Sequence, residues 1–486
     1  MMKSEVAKSL TLADLRNDII GINTMVPSLD GPDLRYVFLD NAASTPTFRS
    51  VLRYIEEFMP WYSGVHRGTG IKSIVATRLY DHAHDIIGDF VGADLHANVV
   101  ILVKNSTEAI NKLANRLNLS HDDLIITTIM EHHSNDLPWR KHCRVVHIDV
   151  EDNGQLKLED LRSALKQHKG KVKLVAINGS SNITGICNPI HEIAKWTHDA
   201  GASIFVDAAQ LVPHRRLEIL SNDDPGHLDF IAFSAHKMYA PFGTGVLIGP
   251  RDVFEEGEPD AVGGGVVTAV SLNEVHWSAP PDKDEAGSPN VVGAVALAKS
   301  ITMLEEIGMD IIATHETELL EYAYSRMKRV AGVELYGPTD NLGQKVGVIA
   351  FNIAGMHHAK AAAIFGNEGG IGLRNGCFCA HPYVKRLLRI TPEEDRRLTA
   401  AMVSGDKSDI PGLVRASLGC YSNEEDIDLF IEMLQRIVRG DYRGEYVLNP
   451  ASGTFSAKGF VPDVPACLTL NEPLHARADR FPSEAS

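Results

Sequence analysis

Six short runs rich in β-branched and aromatic residues recur between residues 99 and 250, and amphipathic stretches separate several of them. The runs are "VVILV" (99–103), "LIITT" (124–128), "KLVAIN" (173–178), "SIFVDAAQ" (203–210), "DFIAFSAHK" (229–237) and "GVLIGP" (245–250). They are apolar along most of their length, the pattern of strands covered on both faces. Residues 106–118 and 190–200 carry helical patterns between them. This alternation predicts a mostly parallel central sheet covered by helices, with ligands bound at the carboxyl ends of the strands.

The chain's 486 residues exceed what one small core needs, so a large domain and a smaller one are expected. The boundaries read as an N-terminal extension (1–36), a large domain (37–300), a smaller C-terminal α/β domain (301–440) and a tail (441–486). A Gly/Pro-rich stretch, 257–290, reads as a long functional loop. The tail is rich in Pro, Ala and Ser with little periodicity, and an extended or disordered conformation is expected for it.

A formal charge of -16 argues against a nucleic-acid partner, because a phosphate backbone would repel that field. No apolar run approaches the roughly 20 residues that span a bilayer, and the first 18 residues lack the apolar segment of a secretory leader. A cytoplasmic protein is expected. The cysteines, at 143, 187, 377, 379, 420 and 467, are too scattered for a disulfide framework. Cys377 and Cys379 form one close pair with no second pair to complete a zinc site, so no metal is expected.

The chemistry gathers at two adjacent strand ends. "VDAAQ" places Asp207 and Gln210 at one, and "SAHK" places Ser234, His236 and Lys237 at the next, followed by the glycine-rich "APFGTGVL". A lysine beside a neighbouring carboxylate is the equipment of a pyridoxal 5′-phosphate (PLP) enzyme. The amine forms a Schiff base, and the acid keeps the pyridine nitrogen protonated.

In that setting the chain resembles the aminotransferase class V group of PLP enzymes, and within it the cysteine desulfurase/selenocysteine lyase branch. The motifs "VFLDNAAST", "EHHSNDLPW", "SSNITG", "VDAAQ", "SAHKMYAPFGTGVL", "AGSPN", "CFCAHP" and "VRASLGCYSNEEDID" occur in the family's order. The resemblance implies a fold-type I architecture in which Lys237 carries the cofactor, Asp207 pairs with the pyridine nitrogen and Gln210 bonds the ring hydroxyl. It implies that His132, or its neighbour His133, stacks on the ring. Thr107, Ser234 and His236 would hold the phosphate, joined by Ser288 from the neighbouring subunit of a homodimer. Asn182, Arg415 and His66 would line the substrate pocket, with the arginine gripping an amino-acid carboxylate.

The same resemblance makes Cys379, followed by Ala-x-Pro, the nucleophile that takes sulfur from L-cysteine as a persulfide and releases alanine. A sulfur-acceptor protein is the implied partner. Arg374 and His381 are candidate cations for ionising that thiol. Cys377 reads as a spare thiol, a persulfide relay or an oxidation partner. Other class V chemistry remains open at this point: transamination, epimerisation, C–S lysis, or sulfur transfer as in molybdenum-cofactor sulfurases. An insertion of charged residues around 385–410 could reshape the site mouth or bind a partner.

Overall fold

The computed structural model describes residues 10–29 and 31–462. Its central sheet has seven strands: Asn98–Val103, Leu124–Thr128, Arg144–Ile148, Val172–Asn178, Ser203–Asp207, Phe230–Ser234 and Gly245–Pro250. In space the first of these is followed by the seventh, sixth, fifth, fourth, second and third. Gly245–Pro250 runs antiparallel to both its neighbours. The other pairings are parallel. All six strands read from the sequence are present. The edge strand Arg144–Ile148 was not anticipated, because it is half-exposed and its pattern is weak.

Helices cover both faces. Val291–Ile307 is apolar around most of its circumference and is almost wholly buried, as a helix wedged between layers must be. The register places Asn178 opposite Asp207 and Asp207 opposite Ala232. Three carboxyl ends therefore share one edge of the sheet.

The second sheet has four strands, Val333–Tyr336, Val348–Ile353, Leu413–Ser417 and Arg374–Gly376, in that spatial order. It packs with helices Met309–Met327, His358–Gly369 and Glu424–Val438 around a separate apolar core. The N-terminal segment joins this unit. Arg16 pairs with Asp426 at 2.7 Å, and Val37–Phe38 adds a short parallel pairing to Ile371–Gly372.

The start of the tail is ordered rather than extended. Tyr446–Asn449 and Thr454–Ala457 form an antiparallel hairpin that lies against His358–Gly369. The buried Glu368 carboxylate accepts from the backbone N–H of Arg443 and Gly444 and from the Tyr446 hydroxyl, each at 3.0 Å. This distant acceptor is one of the contacts that dock the hairpin, and composition does not reveal it. Residues 463–486 lie outside the described residues. The insertion forms helices His381–Leu387 and Pro392–Val403. The 257–290 stretch carries a small hairpin, Val267–Val270 with Val275–Trp277. Among the described residues, no helix is long and apolar enough to cross a membrane.

Candidate active site

A cavity of about 280 Å³ opens at the shared strand edge, at the lower end of the size range of small-molecule sites. Lys237 stands in its wall on a single helical turn, Ala235–Lys237, that follows strand Phe230–Ser234. Desolvation lowers the lysine to about 8, opposed by the charge of Asp207. Asp207 is buried, and desolvation raises its carboxyl, opposed by a 3.1 Å bond from the Ala209 N–H and by Lys237.

His132 and His133 separate cleanly. His132 lines the cavity, where desolvation and then Lys237 push it down to about 3, so its imidazole is neutral. It caps the turn His133–Asn135 by accepting from the Ser134 N–H at 3.2 Å. His133 faces away and packs edge-on against His381, ring centroids 4.8 Å apart. Beneath the turn, the buried Glu131 accepts from Thr128 at 2.7 Å, Asn135 at 2.6 Å and Asn178 at 2.8 Å. That network ties His132 to the end of strand Val172–Asn178.

One end of the cavity is an anion cup. Helix Ser106–Arg116 begins there, capped by Asn105, whose side chain accepts from the Glu108 N–H at 3.0 Å. Gly245 permits this placement, since a Cβ there would lie 2.4 Å from the Asn105 Cα. Thr107 and Ser134 share a hydroxyl bond at 2.7 Å. The Ser234 hydroxyl accepts from the Ser106 N–H at 2.8 Å. His236 lies beside them, lowered by desolvation to about 4. Hydroxyls gathered at the positive end of a helix suit a phosphate.

The opposite end carries a guanidinium and a thiol. Arg415, buried on strand Leu413–Ser417, donates to the Asn182 carbonyl at 2.8 Å and to Asp40 at 3.1 Å. Its Nε is buried with no partner. Asn182 lines the cavity, but its amide already donates to the Phe378 carbonyl at 3.0 Å, so as observed it holds the cysteine loop. Phe378 and Cys379 take φ of 48° and 55°, after Gly376 at 110°. Two consecutive left-handed side-chain-bearing residues are costly and recur at functional sites. This turn aims the exposed Cys379 into the cavity. The His133 N–H, donating to the Cys379 carbonyl at 2.7 Å, helps fix it.

Arg374, Lys237 and Arg415 all line the cavity with Cys379. Desolvation lowers His381, leaving it neutral. Arg374 is clamped by both oxygens of Asp40. Lys237 and Arg415 are the groups whose charge couples to Cys379. Asp40, which orders both arginines, escaped the sequence reading; its only signal was its place after the short strand in "VFLDNAAST".

Cys377 is not a second thiol of the cavity. It is buried, desolvation pushes it up to about 12, and its Sγ donates to the Pro411 carbonyl at 2.9 Å. It pins the loop to the segment beyond the insertion, where His358 also holds the Ile410 carbonyl at 2.9 Å. Brief iodoacetamide treatment of the folded protein should therefore label Cys379 at least about tenfold faster than Cys377, read by peptide mass spectrometry. Comparable labelling of both would contradict the packing.

Two expected residues are not brought to this cavity within one chain. Ser288 lines a separate cavity with Tyr80 and Glu285. His66 bonds Asp81 at 3.1 Å and lies edge-on to the same Tyr80 at 5.6 Å. A further cluster, His198, His227 and Asp229, sits at the opposite edge of the sheet. Its imidazoles stack 4.2 Å apart at 17°, so their lone pairs run side by side rather than converging on one ion.

The sequence pattern of the family described as Aminotransferase class-V matches residues 37–430. A protein named probable cysteine desulfurase from Halalkalibacterium halodurans is 34% identical over 409 residues, 82% of this chain and 92% of that protein. A cysteine desulfurase from Haloferax volcanii is 32% identical over 407 residues, 82% and 88% of the two chains. The apo structure of a cysteine desulfurase from Thermococcus onnurineus NA1 superposes with a TM-score of 0.77 at 31% identity, covering 89% of this chain and all of that one.

Proposed function

The chain belongs to the aminotransferase class-V family, and on that premise we propose that it is a PLP-dependent cysteine desulfurase. It would convert L-cysteine to alanine and leave the sulfur as a persulfide on Cys379. The observation that carries this reading is the exposed Cys379, aimed into the same cavity as Lys237 by a strained turn. Transamination or epimerisation at Lys237 needs no such thiol.

The residues present fit the cofactor. The buried Gln210 lines the cavity with its Oε1 unpartnered, and a ring hydroxyl would satisfy it. Asp207 offers a carboxylate to a pyridine nitrogen, the neutral His132 offers a flat face, and the helix start at Ser106, with the Thr107 and Ser134 hydroxyls, offers a positive dipole end and hydroxyls to a phosphate. When bound, the cofactor supplies an electron sink for the carbon skeleton of the substrate.

The chain's own groups do the remaining work. Lys237, held near 8, is neutral often enough at physiological pH to bind a carbonyl carbon and then to carry a proton. The unpartnered Nε of Arg415 is free to donate to a substrate carboxylate, while Asp40 and the Asn182 carbonyl fix the guanidinium plane. The Cys379 sulfur, as thiolate, bonds to the substrate sulfur as the carbon–sulfur bond breaks, and the carbon takes up a proton to become alanine.

Ser288 and His66 lie on one side of the chain through their shared neighbour Tyr80. They would serve a site only in the partner of a homodimer. The alternative of molybdenum-cofactor sulfurase chemistry has no separate observation in its favour.

Product analysis tests the proposal. Purified enzyme with cysteine and a thiol reductant should release alanine and sulfide in equal amounts; keto-acid products without sulfide would contradict it. The pH dependence is a further expected result. Because Lys237 must be neutral to take up the cofactor, the rate at which apoprotein binds PLP should rise about tenfold per pH unit below about 8 and level off above it. A rise continuing to about 10.5 would show that the cavity does not tune the amine.

A further inference from the structure

The cysteine loop turns at residues 377–380, where the Ala380 N–H donates to the Cys377 carbonyl at 2.8 Å. Both central residues, Phe378 and Cys379, are left-handed, with φ of 48° and 55°. Turns of this kind ordinarily take Gly, Asn or Asp at those places, because a larger side chain is strained there. A bulky aromatic is kept in such a pose only when its surroundings hold it.

The Phe378 ring makes the contact that holds it. Its face is turned to the Arg415 guanidinium, whose central carbon lies 4.8 Å from the ring centroid. Both residues are buried, and shielding from water is the setting in which a cation–π attraction is strongest. The polar edge of Arg415 is engaged elsewhere, Nη1 on the Asn182 carbonyl and Nη2 on Asp40. The ring therefore rests on a cation that other groups already fix. Phe378 also packs in the apolar cluster that contains Tyr383 and Val384, in the helix after the turn.

We propose that Phe378 is a positioning residue that docks the cysteine turn on the Arg415 guanidinium, and so sets the Cys379 sulfur relative to the group that grips the substrate carboxylate. This rests on the desulfurase reading above. Nucleophile and carboxylate anchor then form one unit, and a bound amino acid meets the thiol at a set span.

Two substitutions separate the ring face from mere bulk. Phe378→Leu keeps an apolar side chain and removes the face, whereas Phe378→Tyr keeps it. With cysteine, Phe378→Leu should lower kcat for alanine formation by about tenfold, the scale of one shielded cation–π contact, with KM within about twofold. Phe378→Tyr should stay within about twofold of the wild type. Loss of chloride from β-chloroalanine needs the cofactor and the carboxylate grip but no thiol. Its rate should therefore change by less than about twofold in Phe378→Leu. Equal losses on the two substrates would make Phe378 a general support of the cavity and overturn the assignment, as would an undiminished cysteine rate.

A second measurement needs no turnover. Hydrogen exchange at the Ala380 amide of the holoenzyme should be about tenfold faster in Phe378→Leu than in the wild type or Phe378→Tyr, because the turn has lost its anchor. Equal exchange in all three would overturn the assignment. Should Phe378→Leu fail to fold, Phe378→Met, equally apolar and not aromatic, serves in both measurements with the same expected results. A wild-type enzyme that releases chloride from β-chloroalanine but forms no alanine from cysteine would instead sink the desulfurase reading.

Discussion

Lys237→Ala should lower alanine formation by at least about 10⁴-fold and abolish the visible absorbance of a lysine-bound cofactor. Two functions vanish together, because the amine is the attachment point and the proton carrier, and proton transfer alone is worth roughly 10²–10⁴. The fold should survive the change. Lys237 lines the cavity, so its removal relieves a charging cost and widens an existing opening instead of leaving a closed void.

Thermodynamic linkage gives this variant a second readout. A lysine held at about 8 when folded and near 10.5 when unfolded binds fewer protons in the folded state between those values. Stability must then rise with pH across that window, by at most about 3.4 kcal/mol. The variant should lose that portion of the rise. Some will remain, because the buried Lys345, lowered to about 7 by desolvation, contributes a parallel term. Denaturant melts at several pH values measure the difference. Full turnover or an unchanged lysine-linked spectrum in Lys237→Ala would remove the lysine from its assigned role.

Much of this site was legible in the sequence because parallel strands deliver their carboxyl ends to one edge. Asp207, Gln210, Ser234, His236 and Lys237 were readable for that reason, and the register of Asp207 against Asn178 and Ala232 realises it. Cys379 was readable from its local context. What escaped depends on contacts between distant segments. Asp40 meets Arg415 across 375 residues, and the Cys377 thiol finds the Pro411 carbonyl across 34. Neither pairing has a periodicity. The choice between His132 and His133 also needed three dimensions, since adjacent side chains leave the backbone in different directions. Burial beside His133 and Lys385 lowers His381, a shift that its place in the loop sequence does not reveal.

The second large effect belongs to the thiol. Cys379→Ser should fold and bind PLP as the wild type does, because the side chain is exposed and makes no structural bond that the cofactor site requires. Stability should change by less than about 0.5 kcal/mol. Alanine release should nevertheless fall by about 10³-fold or more. A serine hydroxyl is almost never ionised at neutral pH, and an oxygen nucleophile attacks sulfur poorly beside a thiolate. Cys377→Ser should retain most turnover, since its position is buried and its hydrogen bond to Pro411 can be kept by a hydroxyl. If Cys379→Ser turned over normally, the enzyme would belong with class V members that need only the lysine.

The central claim is that sulfur passes from substrate to the Cys379 side chain. The direct measurement is peptide mass spectrometry of the wild-type enzyme, quenched by alkylation shortly after cysteine is added without reductant. A mass increase of one sulfur on the peptide carrying Cys379, with fragment ions placing it on that residue and alanine formed in equal amount, is the predicted result. Extra sulfur on Cys377 alone, or alanine formed with no sulfur on either cysteine, would contradict the account.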